Sequence, residues 1–379
     1  MPDTPILTDT AAIARFAEEL AREAVIAVDL EADSMHCYRE KVCLLQFSSA
    51  GRTVLVDPLS GADLSALQPV LADPSIRKLF HAADYDVRCL ARDFSFEIRG
   101  LFDTMIACQF LGEEKVGLAD VLGKYFDIQL DKQFQRADWA QRPLSAEMIR
   151  YAAEDTRHLH SLAALLETRL REKDRLDWVS EEFSLLETAR FAEHQGPLFL
   201  RTKGAGTLDR RQLAVLEELL QWRETEARRR DCPPYKVFGG KELLELARHA
   251  PLSLQGLVAM EGISPRLVDR YGKKILAAVK TGLELPKDQL PSYPRTPRPE
   301  KDPAADKRLA ALKDWRKTKA EQLELDPGVL INNALLETLS RQVPRTVPEL
   351  EQIPGLKNWQ RRVLGEEILA LLPSPPQNN

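Results

Sequence analysis

A run of apolar residues long enough to cross a bilayer is missing. Nowhere in the 379 residues do the roughly 20 consecutive apolar positions of a membrane helix occur, and 29% of the chain is charged. Cysteine is scarce. Its five positions, 37, 43, 89, 108 and 232, form no CxxC pair, and no histidine-rich stretch adjoins them. That excludes a disulfide framework and a zinc site and leaves free thiols in a reducing compartment. The opening residues MPDTPILTDT carry Asp3 and Asp9 where an export signal needs basic residues before an apolar stretch, so a cytoplasmic protein is expected. No GxxxxGK(S/T) phosphate loop occurs either, which excludes a helicase.

What is present suffices for more than one core: 44% of residues are hydrophobic, and the length predicts two or three domains. The net charge of −5 hides a division. Residues 1–200 hold 22 Lys and Arg against 34 Asp and Glu, whereas residues 201–379 hold 31 against 24. An acidic front suits divalent cations, and a basic rear suits phosphate backbones.

Three strand-like runs open the chain: AVIAVDL (24–30), VCLLQFS (42–48) and TVLVDP (53–58). Their short connections favour an antiparallel meander, because a parallel crossover needs room for a helix. Helical ALQPVLAD, strand-like RKLFHA, and helical DYDVRCLARDF and DTMIACQFLG follow, which indicates an α/β layer architecture. A long helical region from 145 to 194 opens at a Ser145 N-cap.

Gly and Pro interrupt the helical pattern at 194–206, and six prolines mark an extended linker at 286–303. The segments on either side of that linker repeat. LEELLQWRETEA from Leu216 returns as LAALKDWRKTKA from Leu309, and the offset of 93 persists from Gly262 to Gly355, Gly272 to Gly365 and Ile275 to Ile368. The expected division is a first domain over 1–195, helical modules at 207–285 and 304–373, the linker between them, and a disordered tail at 374–379.

Three groups of residues carry candidate chemistry. Asp29 and Glu31 end an apolar strand and, being alternate residues, face one side; a lone DxE pair also fits acids reaching for solvent. Asp86 lies in a helix after another strand, with Asp84 competing as its helix-start residue. Tyr151 and Asp155, four apart, share a helix face from which Glu154 points away. Should these four carboxylates meet in the fold, they cannot all stay ionised without cations, and an all-oxygen set suits Mg²⁺ or Mn²⁺. Asp103 and Thr104 read as a helix start, His81 as a satisfied core histidine, and Trp222 and Trp315 as core. Gln135, Arg136, Asp138 and Trp139 either line a substrate path or pack.

This ordered set resembles the tyrosine-containing branch of the DEDD exonuclease superfamily. The text LFHAADYDVRCLARDF, LFDTMIACQFLG and LDKQFQRADWAQRPLSAEMIRYAAEDTRHLHSL is similar to the ribonuclease D family within it. The repeats, through WRETEARRRDCPPYKVFGGKELLELARHAP and EGISPRLVDRYGKKIL, resemble the helicase-and-RNase-D C-terminal (HRDC) domain. The resemblance implies a ribonuclease H-like mixed-sheet α/β exonuclease domain followed by two all-α HRDC modules. It further implies a 3′-to-5′ exoribonuclease with two Mg²⁺ or Mn²⁺ ions on Asp29, Glu31, Asp86 and Asp155, and Tyr151 bonded to the attacking water. The expected substrate is RNA with a free 3′ end, such as a transfer-RNA precursor. Arg228, Arg229, Arg230, Lys236, Arg266, Arg270, Lys273 and Lys274 can supply phosphate contacts. Two other readings stay open: a DNA-directed 3′-to-5′ exonuclease, since nothing in the motif senses a 2′-hydroxyl, and a non-catalytic nucleic-acid-binding protein.

Overall fold

The structure, a computed structural model, describes residues 4–131, 133–192, 195–294 and 301–372. The tail at 374–379, linker positions 295–300 and His194 of the first predicted break lie outside them. The chain forms two compact units, one of residues 1–32, 42–191 and 300–379 and the other of 33–41 and 192–299.

The larger unit is built on one mixed sheet. Its strands are β1 (Ile6–Leu7), β2 (Val25–Ala32), β3 (Val42–Ser48), β4 (Thr53–Val56), β5 (Arg77–Phe80) and β6 (Leu101–Asp103), in spatial order β1-β4-β3-β2-β5-β6. The β2-β3-β4 meander is antiparallel, as the short connections predict, whereas β1 joins β4, and β5 joins β2 and β6, in parallel. Every residue of β3 is buried because helices cover both its faces. On one side α1 (Thr10–Leu20), capped by Asp9, turns Ile13, Phe16, Ala17 and Leu20 inward at helical spacing, and Phe16 meets Phe47 edge-on at 5.8 Å. Each such aromatic burial stabilises the unit by about 1.5–3 kcal/mol.

Helices α2 (Gln68–Ala72), α3 (Asp84–Phe94), α4 (Thr104–Leu111) and α5 (Leu118–Phe126) come next, and α6 (Ala146–Arg157) then packs on β2, β3 and β4. Two buried hydroxyls fasten it, Thr156 to Ser48 at 2.7 Å. Helices α7 (Leu159–Glu172) and α8 (Leu176–Leu186) close this part. All five cysteines are free, four of them buried, and no described helix is long and apolar enough to cross a membrane.

The smaller unit holds α9 (Arg210–Arg229), α10 (Pro234–Val237), α11 (Gly240–His249), α12 (Leu254–Val258) and α13 (Pro265–Glu284). Helices α9 and α13 approach so closely at Gly282 that a Cβ there would lie 2.5 Å from the Cα of Val215. Trp222 packs edge-on to Tyr271 and Phe238 at 5.4 and 5.9 Å, a core role as its apolar position predicts.

The repeat is exact in its skeleton. Helices α14 (Pro303–Leu323), α15 (Pro327–Leu330), α16 (Asn333–Gln342), α17 (Val347–Glu351) and α18 (Asn358–Leu371) each begin 93 residues after their counterparts. Left-handed turns recur at the same offset: Asp231 and Glu324 (φ 44° and 51°), Ala250 and Val343 (43° and 48°), Gly262 and Gly355 (84° and 80°). The second copy nevertheless belongs to the larger unit, where Glu181 of α8 accepts hydrogen bonds from the amides of Asn358 and Trp359, both 2.8 Å, and so caps α18.

Candidate active site

Strand β2 carries two carboxylates to the middle of the sheet. Asp29 and Glu31 point the same way, and a register shift after Glu31 ends the regular pairing with β3. Because β5 runs parallel to β2, the helix after β5 starts at the same end of the sheet.

That helix, α3, is positioned by Asp103 at the end of β6. The Asp103 carboxylate accepts from Ala82 N (3.1 Å) and Ala83 N (2.7 Å) ahead of α3, and from Met105 N (2.8 Å) and Ile106 N (3.2 Å) in α4. Asp103 is thus the expected helix start for α4, and it also holds the left-handed Ala82 (φ 67°) that aims α3. Asp84 faces outward and pairs with Arg88, while Asp86, two residues on, is buried and hydrogen-bonded to Asp29.

Tyr151 and Asp155 descend from one face of α6. Glu154 turns away to Arg157 and His158. Trp139 and Phe134 back the Tyr151 ring at centroid distances of 6.0 and 5.9 Å. Trp139 is wholly buried and packs, and Gln135, Arg136 and Asp138 belong to the same loop. His81 bonds Thr104 at 2.9 Å as a satisfied histidine, and burial lowers its pKa.

The electrostatics join these acids into one cluster. Burial pushes Asp29 up to about 6, against the bonds from Leu30 and Asp86. Burial, then the charges of Asp29, Asp155 and Asp86, raises Glu31 well above the ordinary carboxylate range. Asp86 is raised by burial and the Asp29 charge, and Asp155 reaches about 8 through burial and the charges of Asp29 and Glu154. The Tyr151 phenol is raised by burial and then by Asp155, Glu31 and Asp29. The charges that raise these groups are negative. Among the described residues no three groups stand ready to cage an ion, and the Asp29 and Asp86 carboxyls bond each other instead. The fit to a divalent cation is therefore one of chemistry: an all-oxygen set of acids, Asp86 buried and Asp29, Glu31 and Asp155 half-buried, whose charges oppose one another's ionisation.

A cavity of about 370 Å³ opens beside Tyr151 and Asp155, lined among others by Gln133, Phe134 and Arg150. These three lie outside the carboxylate motifs, and no spacing in the sequence marks them.

The basic candidates of the first module are all exposed. Arg229 and Lys274 bracket buried Glu226, with Lys274 at 2.9 Å; Arg230 bonds the Tyr271 hydroxyl at 2.7 Å. Arg228 lies over the ring of Tyr38 and Arg270 over that of Tyr271, at 5.5 and 5.9 Å. Lys236 sits on α10, and Arg266 and Lys273 on α13.

Known proteins resemble this chain along most of its length. Residues 5–171 match the 3′-5′ exonuclease family, and 212–279 and 305–372 each match the HRDC domain. Ribonuclease D of Gluconacetobacter diazotrophicus is 33% identical over 377 residues, covering 98% of this chain and 93% of that protein. The crystal structure of Escherichia coli RNase D, described as an exoribonuclease involved in structured RNA processing, superimposes with a TM-score of 0.74 at 28% identity over 98% of both chains. The catalytic core of RRP6 from Trypanosoma brucei gives 0.64 at 32% identity, over 74% of this chain and 80% of that one.

Proposed function

Since this chain belongs to the ribonuclease D family, and is accordingly a hydrolytic 3′-to-5′ exoribonuclease, we propose that Asp29, Glu31, Asp86, Asp155 and Tyr151 perform the hydrolysis with two divalent ions, Mg²⁺ or Mn²⁺. The observation that carries this reading is the cluster of four carboxyls from β2, α3 and α6, Asp86 buried and the other three half-buried, each with a raised pKa. Asp29, Glu31, Asp86 and Asp155 would hold the ions. When bound, such ions acidify a water and offset charge on the departing 3′-oxygen.

Tyr151 stays protonated at neutral pH, because burial and then the charges of Asp155, Glu31, Asp29 and Asp131 oppose its ionisation. Its hydroxyl therefore orients the attacking water by a hydrogen bond and does not remove the proton. The cavity beside it receives the terminal nucleotide, with the Phe134 ring available for stacking and Arg150 for a phosphate. The product is a 5′-mononucleotide.

Catalysis is assigned to residues 1–195 and RNA contact to the HRDC modules at 207–285 and 304–373. The first module's Arg228–Arg230, Lys236, Arg266, Arg270, Lys273 and Lys274 act on the phosphate backbone. The substrate is structured RNA with a free 3′ end, transfer-RNA precursors among them, in the cytoplasm. Five free thiols suit that reducing compartment.

The experiment is incubation of the purified chain with end-labelled RNA and matching DNA, in Mg²⁺, Mn²⁺ or chelator. RNA should shorten from the 3′ end, releasing mononucleotides, with either ion and not with chelator. Degradation in excess chelator, or of a 3′-blocked single strand, would sink the assignment.

A further inference from the structure

Gln46 stands in β3, where Val42 to Leu45 and Phe47 are apolar, and it is fully buried. Neither its Oε1 nor its Nε2 has a hydrogen-bond partner among the described residues. A buried amide with nothing to bond is costly, because its lost hydration is not replaced, and apolar side chains of similar size would fill a strand interior better.

Its register position gives the reason. Gln46 is the direct partner of Asp29 across the antiparallel β2-β3 ladder. Directly opposed residues project from the same face of the sheet with Cβ atoms about 4.5–5.5 Å apart. The α6 helix covers that face: Ser48, two residues on, bonds Thr156, and Leu44, two residues back, packs with Met148 and Ala152. On its other side β2 pairs with β5 through Ala27 and Leu79 and no further toward Asp29, so β5 sets no side chain opposite the carboxylate.

We propose that Gln46 is a positioning residue, whose Nε2 N–H donates to a carboxylate oxygen of Asp29 and fixes its orientation when a divalent cation is bound. The proposal rests on the reading of Asp29 as a metal-binding acid. In the structure the Asp29 carboxyl bonds to Asp86 and to the amide of Leu30, which leaves the Gln46 amide idle. A carboxylate that gives one oxygen to a cation needs donors for its remaining lone pairs, and beneath α6 a side chain has to supply one.

The test uses the full chain in four forms: wild type, Gln46→Met, Gln46→Leu and Asp29→Asn. Mn²⁺ alone is titrated by calorimetry, turnover is followed on a short single-stranded RNA, and thermal midpoints are recorded without metal. Asp29→Asn should lose Mn²⁺ binding. Gln46→Met and Gln46→Leu should weaken it by about 10–100-fold and lower kcat by a similar factor with KM nearly unchanged. Their midpoints should hold or rise, since an unpaired amide has been removed.

A measurement on the wild type keeps the proposal exposed if both Gln46 variants misfold. Mg²⁺ saturation should shift the Gln46 side-chain NH₂ resonances in ¹⁵N-resolved NMR, and the same addition to Asp29→Asn should not. Wild-type Mn²⁺ affinity and kcat in folded Gln46→Met, or Gln46 resonances indifferent to Mg²⁺, overturn the proposal while leaving the metal reading intact. Unchanged Mn²⁺ binding by Asp29→Asn overturns the metal reading and this proposal together.

Discussion

Trp178 and Trp359 lie face to face, ring centroids 5.1 Å apart and planes 9° from parallel. The partners are 181 positions apart, one in α8 of the catalytic part and one in α18 of the second HRDC copy. Phe110 meets Trp359 edge-on at 5.4 Å, and the Trp359 indole donates to Glu182 at 2.9 Å. Trp359→Ala should therefore destabilise the larger unit as a whole, by about 3–5 kcal/mol. Denaturant unfolding checks this. An unfolding midpoint equal to wild type would show that the two parts are held together by other contacts.

Asp155→Asn should lower kcat by at least about 10²–10³, the scale of removing one group that stabilises a transition state. Tyr151→Phe should lose less, since an orienting hydrogen bond is removed and no cation ligand. Near-normal turnover by folded, metal-replete Asp155→Asn would place the chemistry elsewhere.

The acidic cluster makes the metal-free protein sensitive to alkali. Burial pushes Asp29 up to about 6, and burial with the Asp29 charge pushes Asp155 up to about 8. A group whose folded pKa lies above its unfolded value contributes stability that is present at low pH and lost as pH rises through the folded pKa. With chelator present, the cluster's contribution should thus weaken from about pH 4 to about pH 8, and Asp155→Asn should flatten part of the decline. Mg²⁺ should restore the wild type at the upper end. Wild-type and Asp155→Asn midpoints that run parallel across this window would contradict the sign.

Asp103→Ala should remove an acceptor shared by two helix starts, costing about 1–4 kcal/mol from two caps. It should also lower kcat, because Ala82 is then free to leave its left-handed conformation and α3 carries Asp86. Equal turnover in Asp103→Ala would mean that α3 is aimed by its packing alone.

The basic residues of the first module should divide by their partners. Glu226 is held at about 2, chiefly by the Arg229 hydrogen bond and then by Lys274, so it stabilises the module above the ordinary carboxylate range and loses that effect as pH falls toward 2. Arg229→Ala and Lys274→Ala should lower stability. Arg266→Ala and Lys273→Ala should leave stability unchanged; like the other two they should weaken RNA binding and make its dependence on the logarithm of salt shallower by about 0.7 for each phosphate no longer neutralised. Unaltered salt slopes in both would remove this face from the RNA path.

The candidate site is legible where periodicity carries information. Asp29 and Glu31 follow the two-residue period of an apolar strand, and Tyr151 and Asp155 the four-residue spacing of a helix, so geometry alone pairs them. Asp84 and Asp86 were harder: both lie in the first turn of α3, and which of them is buried depends on where the sheet lies. Strands β1 and β6, two and three residues long, are too short for a period and exist through their parallel neighbours. The cavity residues Gln133 and Phe134 come from a loop and leave no pattern. Gln46 did leave one, a lone amide in VCLLQFS, and its meaning depends on a register that single strands do not disclose.

The sharing of a core between α8 and α18 also bears on synthesis. The chain emerges from the ribosome in order, so Trp178 and Phe110 are made well before Trp359 can cover them, an interval of about 10–35 s for Trp178 and about 12–50 s for Phe110 at about 5–20 residues per second. Through that interval Trp178 and Phe110 of the nascent catalytic part lack their Trp359 cover, while the first HRDC copy, sequence-local but for residues 33–41, can close once Pro299 has been added. Slowing translation between the two copies should lengthen that exposure, and with it the time in which a chaperone can hold the chain or another copy can aggregate with it.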